Sequence, residues 1–127
     1  MSKTAITSPE LTPPVGPFSQ AIAIDGFLFL SGQVAQDPTT GKLVPGGVVA
    51  ETKQVFSNAA AVLRAAGLGF DDVVSVRVFL TRIEDYEAMN AIYAQHFSEP
   101  FPARTAVAVA AWPLGASAEF DMIARVR

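Results

Sequence analysis

The chain has 127 residues, half of them apolar and only 17% charged, so it is long enough for one domain with a substantial core yet poorer in charge than the roughly 25% of an average soluble protein. That shortage predicts surface buried between subunits, while the formal net charge of −3 argues against a dedicated nucleic-acid binder, which shows a basic patch. No cysteine is present and His96 is the single histidine, which excludes disulfides, thiolate nucleophiles, cysteine-ligated zinc or iron–sulfur centres and a histidine-rich metal site.

Residues 1–17 hold four of the nine prolines (Pro9, Pro13, Pro14 and Pro17) and read as an extended arm. Met1 to Leu11 contain no apolar h-region, and no apolar run reaches the roughly 18 residues that span a bilayer, so a soluble, cytoplasmic protein is expected. From Phe18 to Ile24 apolar residues alternate, Asp25-Gly26 supplies a two-residue turn, and Phe27–Ser31 follows as a second strand. Asp-Gly tolerates the positive φ of a tight type I′ turn, so the pair predicts a hairpin. Gly32, at the end of that strand, either admits a close approach to the backbone or simply ends the strand. Residues 37–47 are turn-rich, with room for a short strand near Leu43-Val44.

Val48 to Ala66 carries an apolar stripe at helical spacing (Val48, Thr52, Val55, Phe56, Ala59, Val62, Leu63, Ala66), stopped by Gly67. Val73 to Leu80 is a strand, with Val74, Val76, Val78 and Leu80 expected on one face and Ser75 and Arg77 on the other. A second helix is expected over 85–97, its stripe being Tyr86, Met89, Tyr93 and Phe97. Asn90 shares that stripe, and a buried amide must be hydrogen-bonded; it serves either backbone groups or a ligand cleft. His96 falls near the helix C-terminus, where it would meet the dipole.

Residues 102–110 (Pro-Ala-Arg-Thr-Ala-Val-Ala-Val-Ala) read as a buried strand. Arg104 lies on its alanine side, so small neighbours leave a recess before the guanidinium, a fork suited to bidentate capture of a carboxylate; the alternative is an arginine turned to solvent. In the last strand, Ala118 to Val126, the residues Ala118, Phe120, Met122 and Ala124 face one side, and Glu119, Asp121, Ile123 and Arg125 the other. Asp121 needs a partner there, and Arg104 would supply it if the last two strands pair as a hairpin. The whole is one α+β domain over residues 1–127, of order β-β-α-β-α-β-β, with two helices on one face of a mixed sheet. Neither a phosphate-binding loop nor a serine-hydrolase elbow is present.

Five short segments then carry a resemblance across nearly the whole chain: Gly16-Pro17-Phe18-Ser19-Gln20, Ser31-Gly32-Gln33, Ala65-Ala66-Gly67-Leu68, Met89-Asn90-Ala91-Ile92-Tyr93 and Pro102-Ala103-Arg104-Thr105. In this order and spacing the sequence resembles the RidA (YjgF) family. The resemblance implies a chorismate-mutase-like fold and a homotrimer whose sheets form a central barrel, with clefts at the subunit interfaces. It implies hydrolysis of reactive 2-imino or enamine acids to 2-keto acids and ammonia, with no cofactor and no metal.

Carried over by residue, Arg104 matches the arginine that grips the substrate carboxylate, and Ser31, Gly32 and Asn90 match cleft-lining positions. Phe18 stands where many members have tyrosine, and Ala106 where many have cysteine, leaving a ring cap and backbone groups respectively. Asp121 is aligned with a catalytic glutamate, one methylene shorter, and would position or deprotonate the water; Glu119, one step away on the same face, would help only from a neighbouring position. The competing expectation is a non-catalytic trimer that binds a small carboxylate through Arg104. An endoribonuclease role fits poorly with the negative charge.

Overall fold

The computed structural model describes residues 2–126. Six strands form one sheet: β1 (Thr4–Ile6), β2 (Ala21–Ile24), β3 (Phe27–Gln33), β4 (Val73–Leu80), β5 (Ala103–Ala108) and β6 (Ala118–Arg125). Two helices, α1 (Gly47–Ala65) and α2 (Tyr86–Tyr93), complete a mixed α+β fold. The spatial order is β1-β2-β3-β6-β4-β5. Neighbours run antiparallel except β4 and β5, which are parallel and so need a crossover, supplied by α2.

Local chemistry accounts for most element ends. Asp25 (φ 51°) and Gly26 (φ 83°) both take the positive φ that a type I′ turn requires, and the hairpin closes with Ile24 opposite Phe27. Helix α1 stops where Gly67 adopts φ 75°. There the Leu68 N–H donates to the Leu63 carbonyl (2.8 Å) and the Gly67 N–H to that of Arg64 (2.9 Å), a Schellman closure sealed by the buried Leu63 and Leu68.

The inward face of the sheet is continuous: Leu28 and Leu30 of β3, Phe120, Met122 and Ala124 of β6, and Val76, Val78 and Leu80 of β4 are all buried. Against it lie Val55, Phe56, Ala59, Val62 and Leu63 of α1 and Met89 and Tyr93 of α2. Phe56 is the hub. Its ring meets Phe70, Tyr93, Phe97 and Phe120 at tilted or edge angles and stacks on His96 at 4.3 Å. Cutting such a side chain to alanine costs about 3–5 kcal/mol. His96 is therefore a packed ring beyond the end of α2, and burial lowers its pKa.

Several expectations change. Residues 4–6 pair with β2 as a further strand inside the proline-rich arm. Leu43 forms an isolated bridge with Gln36, where a short strand was expected. Val74 is exposed and Val73 buried, because β4 shifts register against β6 between Val73 and Ser75; one extra residue there turns Val74 outward. The last two strands do not form a hairpin: β6, buried along its whole inward face, takes the centre between β3 and β4, and β5 is left at the edge. An edge strand is covered on fewer sides, so Val107 stays exposed rather than buried. Helix α2 also ends at Tyr93, four residues early, although tight turns carry the chain on to a buried Phe97. No helix among the described residues is long and apolar enough to cross a membrane.

Candidate active site

Two groups of side chains stand out, one on each face of the sheet. The first surrounds Arg104. Strand register puts Arg104 beside Val76 and Ala106 beside Val78, on the inward, helix-covered face. Across that face, α2 presents Asn90, whose Oδ1 accepts from Arg104 Nη1 at 2.6 Å, and Tyr86, whose hydroxyl accepts from Nη2 at 2.5 Å. The guanidinium carbon also sits 4.7 Å from the Tyr93 ring centre and 5.5 Å from that of Tyr86.

Arg104 is thus held by aromatic rings and neutral oxygens rather than framed by an alanine recess. Among the described residues the two ion pairs are Arg64–Glu10 and Arg77–Asp121; neither uses Arg104. The two hydrogen bonds engage two of its five N–H donors, so a fork for a carboxylate remains. The same charge opposes, but does not outweigh, the burial that raises the Tyr93 pKa.

The second group lines a cavity of about 580 Å³ bounded by the proline-rich arm, the end of β3 and the turn before β6. Phe18, Ser31, Gly32, Trp112, Leu114 and Glu119 belong to its wall. Glu119 is opposite Phe79 in the β4–β6 register, on the outward face. Its carboxyl lies against Gly32: a Cβ built there would stand 2.5 Å from both Cδ and Oε1. Gly32 therefore makes room for this carboxyl, a third role beside the two its sequence allowed. Burial raises the Glu119 pKa, the charge of Asp121 raises it further, and Arg77 pulls it back. A carboxyl whose neutral form is favoured by burial in a cleft is suited to carrying a proton.

The arm is fastened by Gln20, which is buried. Its Oε1 accepts from the Ser8 N–H at 2.7 Å and its Nε2 donates to the Thr12 carbonyl at 3.4 Å. Ser31 Oγ donates to the Ser19 carbonyl at 2.6 Å, so this hydroxyl ties β3 to the arm that carries Phe18.

Of the residues singled out from the sequence, the fold gathers Phe18, Ser31 and Gly32 around one cavity and joins Arg104 to Asn90 on the other face, with Ala106 two residues along β5. Asp121 enters neither group. Arg77 donates to both of its oxygens, at 2.9 and 2.7 Å, and Asp121 lies across the sheet from Arg104, with β4 between their strands. Its partner is Arg77 because β6 pairs with β4. The cavity's carboxylate is Glu119, and the signal for it was Gly32, whose missing side chain leaves space that only the three-dimensional register assigns. Tyr86, which resembles one more apolar residue of the α2 stripe, was also missed. Among the described residues no group of three or more His, Asp or Glu is placed to hold a metal ion.

A family model described as endoribonuclease L-PSP matches residues 9–126. A goat (Capra hircus) protein named 2-iminobutanoate/2-iminopropanoate deaminase is 47% identical over 110 residues, covering 87% of this chain and 80% of its own length. Among solved structures, the Rid-family protein YyfA of Yersinia pestis superposes with a TM-score of 0.95 at 40% identity, covering 98% of this chain and all of that one. E. coli TdcF with bound serine superposes with a TM-score of 0.89 at 29% identity, covering 96% and 98% respectively.

Proposed function

The chain belongs to the RidA family, whose matching model carries the description endoribonuclease L-PSP, and from that premise we propose that it is an imine deaminase whose site is completed between two copies of the chain. The observation that carries this reading is the placement of its two charged groups. Among the described residues Arg104 meets no carboxylate on one face of the sheet, and Glu119 lies in an apolar-walled cavity on the other. Within one protomer they cannot grip the same small molecule. Contact between the Arg104 edge of one copy and the Glu119 cavity of the next would bring them together.

The outward sheet face supports such an assembly. Phe27 and Phe29 of β3 leave 43% and 44% of their surface open to solvent, and Val107 of the edge strand β5 leaves 40%; exposed apolar side chains on one face favour burial against another chain. A homotrimer with three equivalent clefts is the assembly we propose. The goat relative's name supplies the reaction class, and serine bound to TdcF supports an α-amino-acid-like carboxylate as the group received.

The chemistry follows from the groups present. Arg104, oriented by Asn90, binds the carboxylate of a protonated 2-imino acid through two parallel N–H bonds. Glu119 accepts a proton from water as its oxygen adds to the imine carbon. The carboxyl then returns that proton to the nitrogen of the carbinolamine, the C–N bond breaks as the hydroxyl proton passes through the carboxylate to the departing ammonia, and the 2-keto acid and ammonium leave. Phe18 covers the cavity mouth, and backbone groups near Gly32 and Ala106 orient the nitrogen and the water. A proton-transfer group of this kind contributes about 10²–10⁴-fold.

The test generates 2-imino acids in place with an amino-acid oxidase and follows loss of the semicarbazide-trapped imine. Wild type is expected to accelerate hydrolysis, Arg104→Ala to lose measurable turnover because the carboxylate is no longer gripped, and Glu119→Gln to lower kcat by about 10²-fold or more. Full activity in Glu119→Gln would overturn the reading.

A further inference from the structure

We propose that Tyr86 is a positioning residue for substrate capture: its hydroxyl fixes the Arg104 guanidinium in the one orientation that receives a carboxylate. This rests on Arg104 being the carboxylate grip of the deaminase reading, and it adds a residue that the reaction chemistry does not require. An arginine on an edge strand has four side-chain torsions and no reason to hold one pose. Here α2 removes that freedom. Asn90 takes Nη1, the Tyr86 hydroxyl takes Nη2, and the Tyr86 and Tyr93 rings lie against the planar cation.

Each restraint is neutral, so the positive charge is oriented without being cancelled. A carboxylate from α2 in the same place would hold the arginine equally well and compete with the substrate's own. The spacing on the helix makes the arrangement possible. Tyr86 and Asn90 are four residues apart and therefore share a face, with Tyr93 one turn further. Tyr86 is half-buried against the core, so its ring alone fits a packing role; the hydroxyl bond to Arg104 is what packing leaves unexplained. The hydroxyl acts through Arg104.

Tyr86→Phe separates the two roles, because it keeps the ring and removes the hydroxyl. Steady-state hydrolysis of oxidase-generated imines is measured beside calorimetric binding of 2-oxobutanoate and of 2-oxobutanamide, which lacks the carboxylate. The expected result is a KM, and a 2-oxobutanoate Kd, raised about tenfold, with kcat and melting temperature unchanged and no effect on any 2-oxobutanamide binding. Tyr86→Leu, which also removes the ring, is expected to weaken 2-oxobutanoate further.

Unchanged KM and Kd in Tyr86→Phe would overturn the proposal while leaving the deaminase reading intact. Equal weakening of acid and amide, or a loss confined to the melting temperature, would reduce Tyr86 to packing and overturn it as well. If wild type turns over no imine but binds 2-oxobutanoate through Arg104, the deaminase reading falls and the binding arm alone decides Tyr86. If wild type neither turns over imine nor binds 2-oxobutanoate, both fail.

Discussion

Gly32 and Glu119 act as one unit, because the carboxyl occupies the volume a side chain at residue 32 would fill. The nearest atoms to a new Cβ belong to the far end of a flexible side chain, so Gly32→Ala moves Glu119 rather than the backbone. Its melting temperature should change by only a few degrees, while kcat falls about 10²-fold as the proton carrier is displaced. Parallel thermal unfolding and single-turnover hydrolysis check this; a variant with normal kcat would remove Glu119 from the chemistry. The same residue makes a prediction about stability. Burial and Asp121 raise the folded pKa of Glu119 above its ordinary 4.5, so the folded state binds the proton more tightly than the unfolded one. Stability therefore declines as pH rises from about the ordinary value through the folded one, the reverse of an ion-paired carboxylate. Glu119→Gln should accordingly unfold at a higher temperature than wild type at pH 7 and lose that advantage near pH 4, which a melting series across pH reads directly.

Between strands, the Arg77–Asp121 pair across β4 and β6 is better understood as a setting on Glu119 than as a fastening. Arg77 is mostly exposed, and an exposed pair of this kind adds about 1 kcal/mol or less. Both of its charges nevertheless bear on Glu119, in opposite directions. Arg77→Met removes the one that lowers the Glu119 pKa, so the acid limb of the kcat–pH profile should move to higher pH. Asp121→Asn removes one that raises it, so the limb should move to lower pH. Shifts in the same direction would show that Glu119 is not the group being read.

This pair also shows where sequence pattern stops being informative. The period-2 alternation of residues 118–125 separates the two faces of β6 correctly, and the 3.6 period with Gly67 bounds α1 almost to the residue, because both signals are local. The hairpin at Asp25-Gly26 is local too. Strand order is not. Adjacency in sequence suggested that β5 and β6 pair, whereas the crossover through α2 sets β5 beside β4. With that error came the choice of Asp121 over Glu119: the two share a face, and only their neighbours, Arg77 for one and Gly32 for the other, distinguish them. Val74 was misplaced for the same kind of reason, since a single-residue bulge leaves no mark in a run reading Val-Val-Ser-Val. Arg104 and Asn90 were legible as residue types with unmet needs, but the hydroxyl of Tyr86 was hidden in a stripe that aromatic packing already explained.

At the scale of the molecule, the division of the site between two faces of one sheet has a consequence that no single-chain site shares. If Arg104 of one copy works with Glu119 of its neighbour, Arg104→Ala and Glu119→Gln are each inactive for a different half of the same cleft. In a closed ring of mixed chains some clefts recover both working halves. Random association from an equal mixture gives about one quarter of clefts an intact Arg104 and an intact Glu119, since each is contributed independently. Co-refolding the two inactive variants should therefore restore about a quarter of wild-type kcat per cleft, with unchanged KM, whereas mixing them without exchange should restore nothing. A site contained in one chain behaves differently: every chain then carries one defect, and no mixture regains activity. The co-refolded sample, sized to verify exchange, decides between these two geometries.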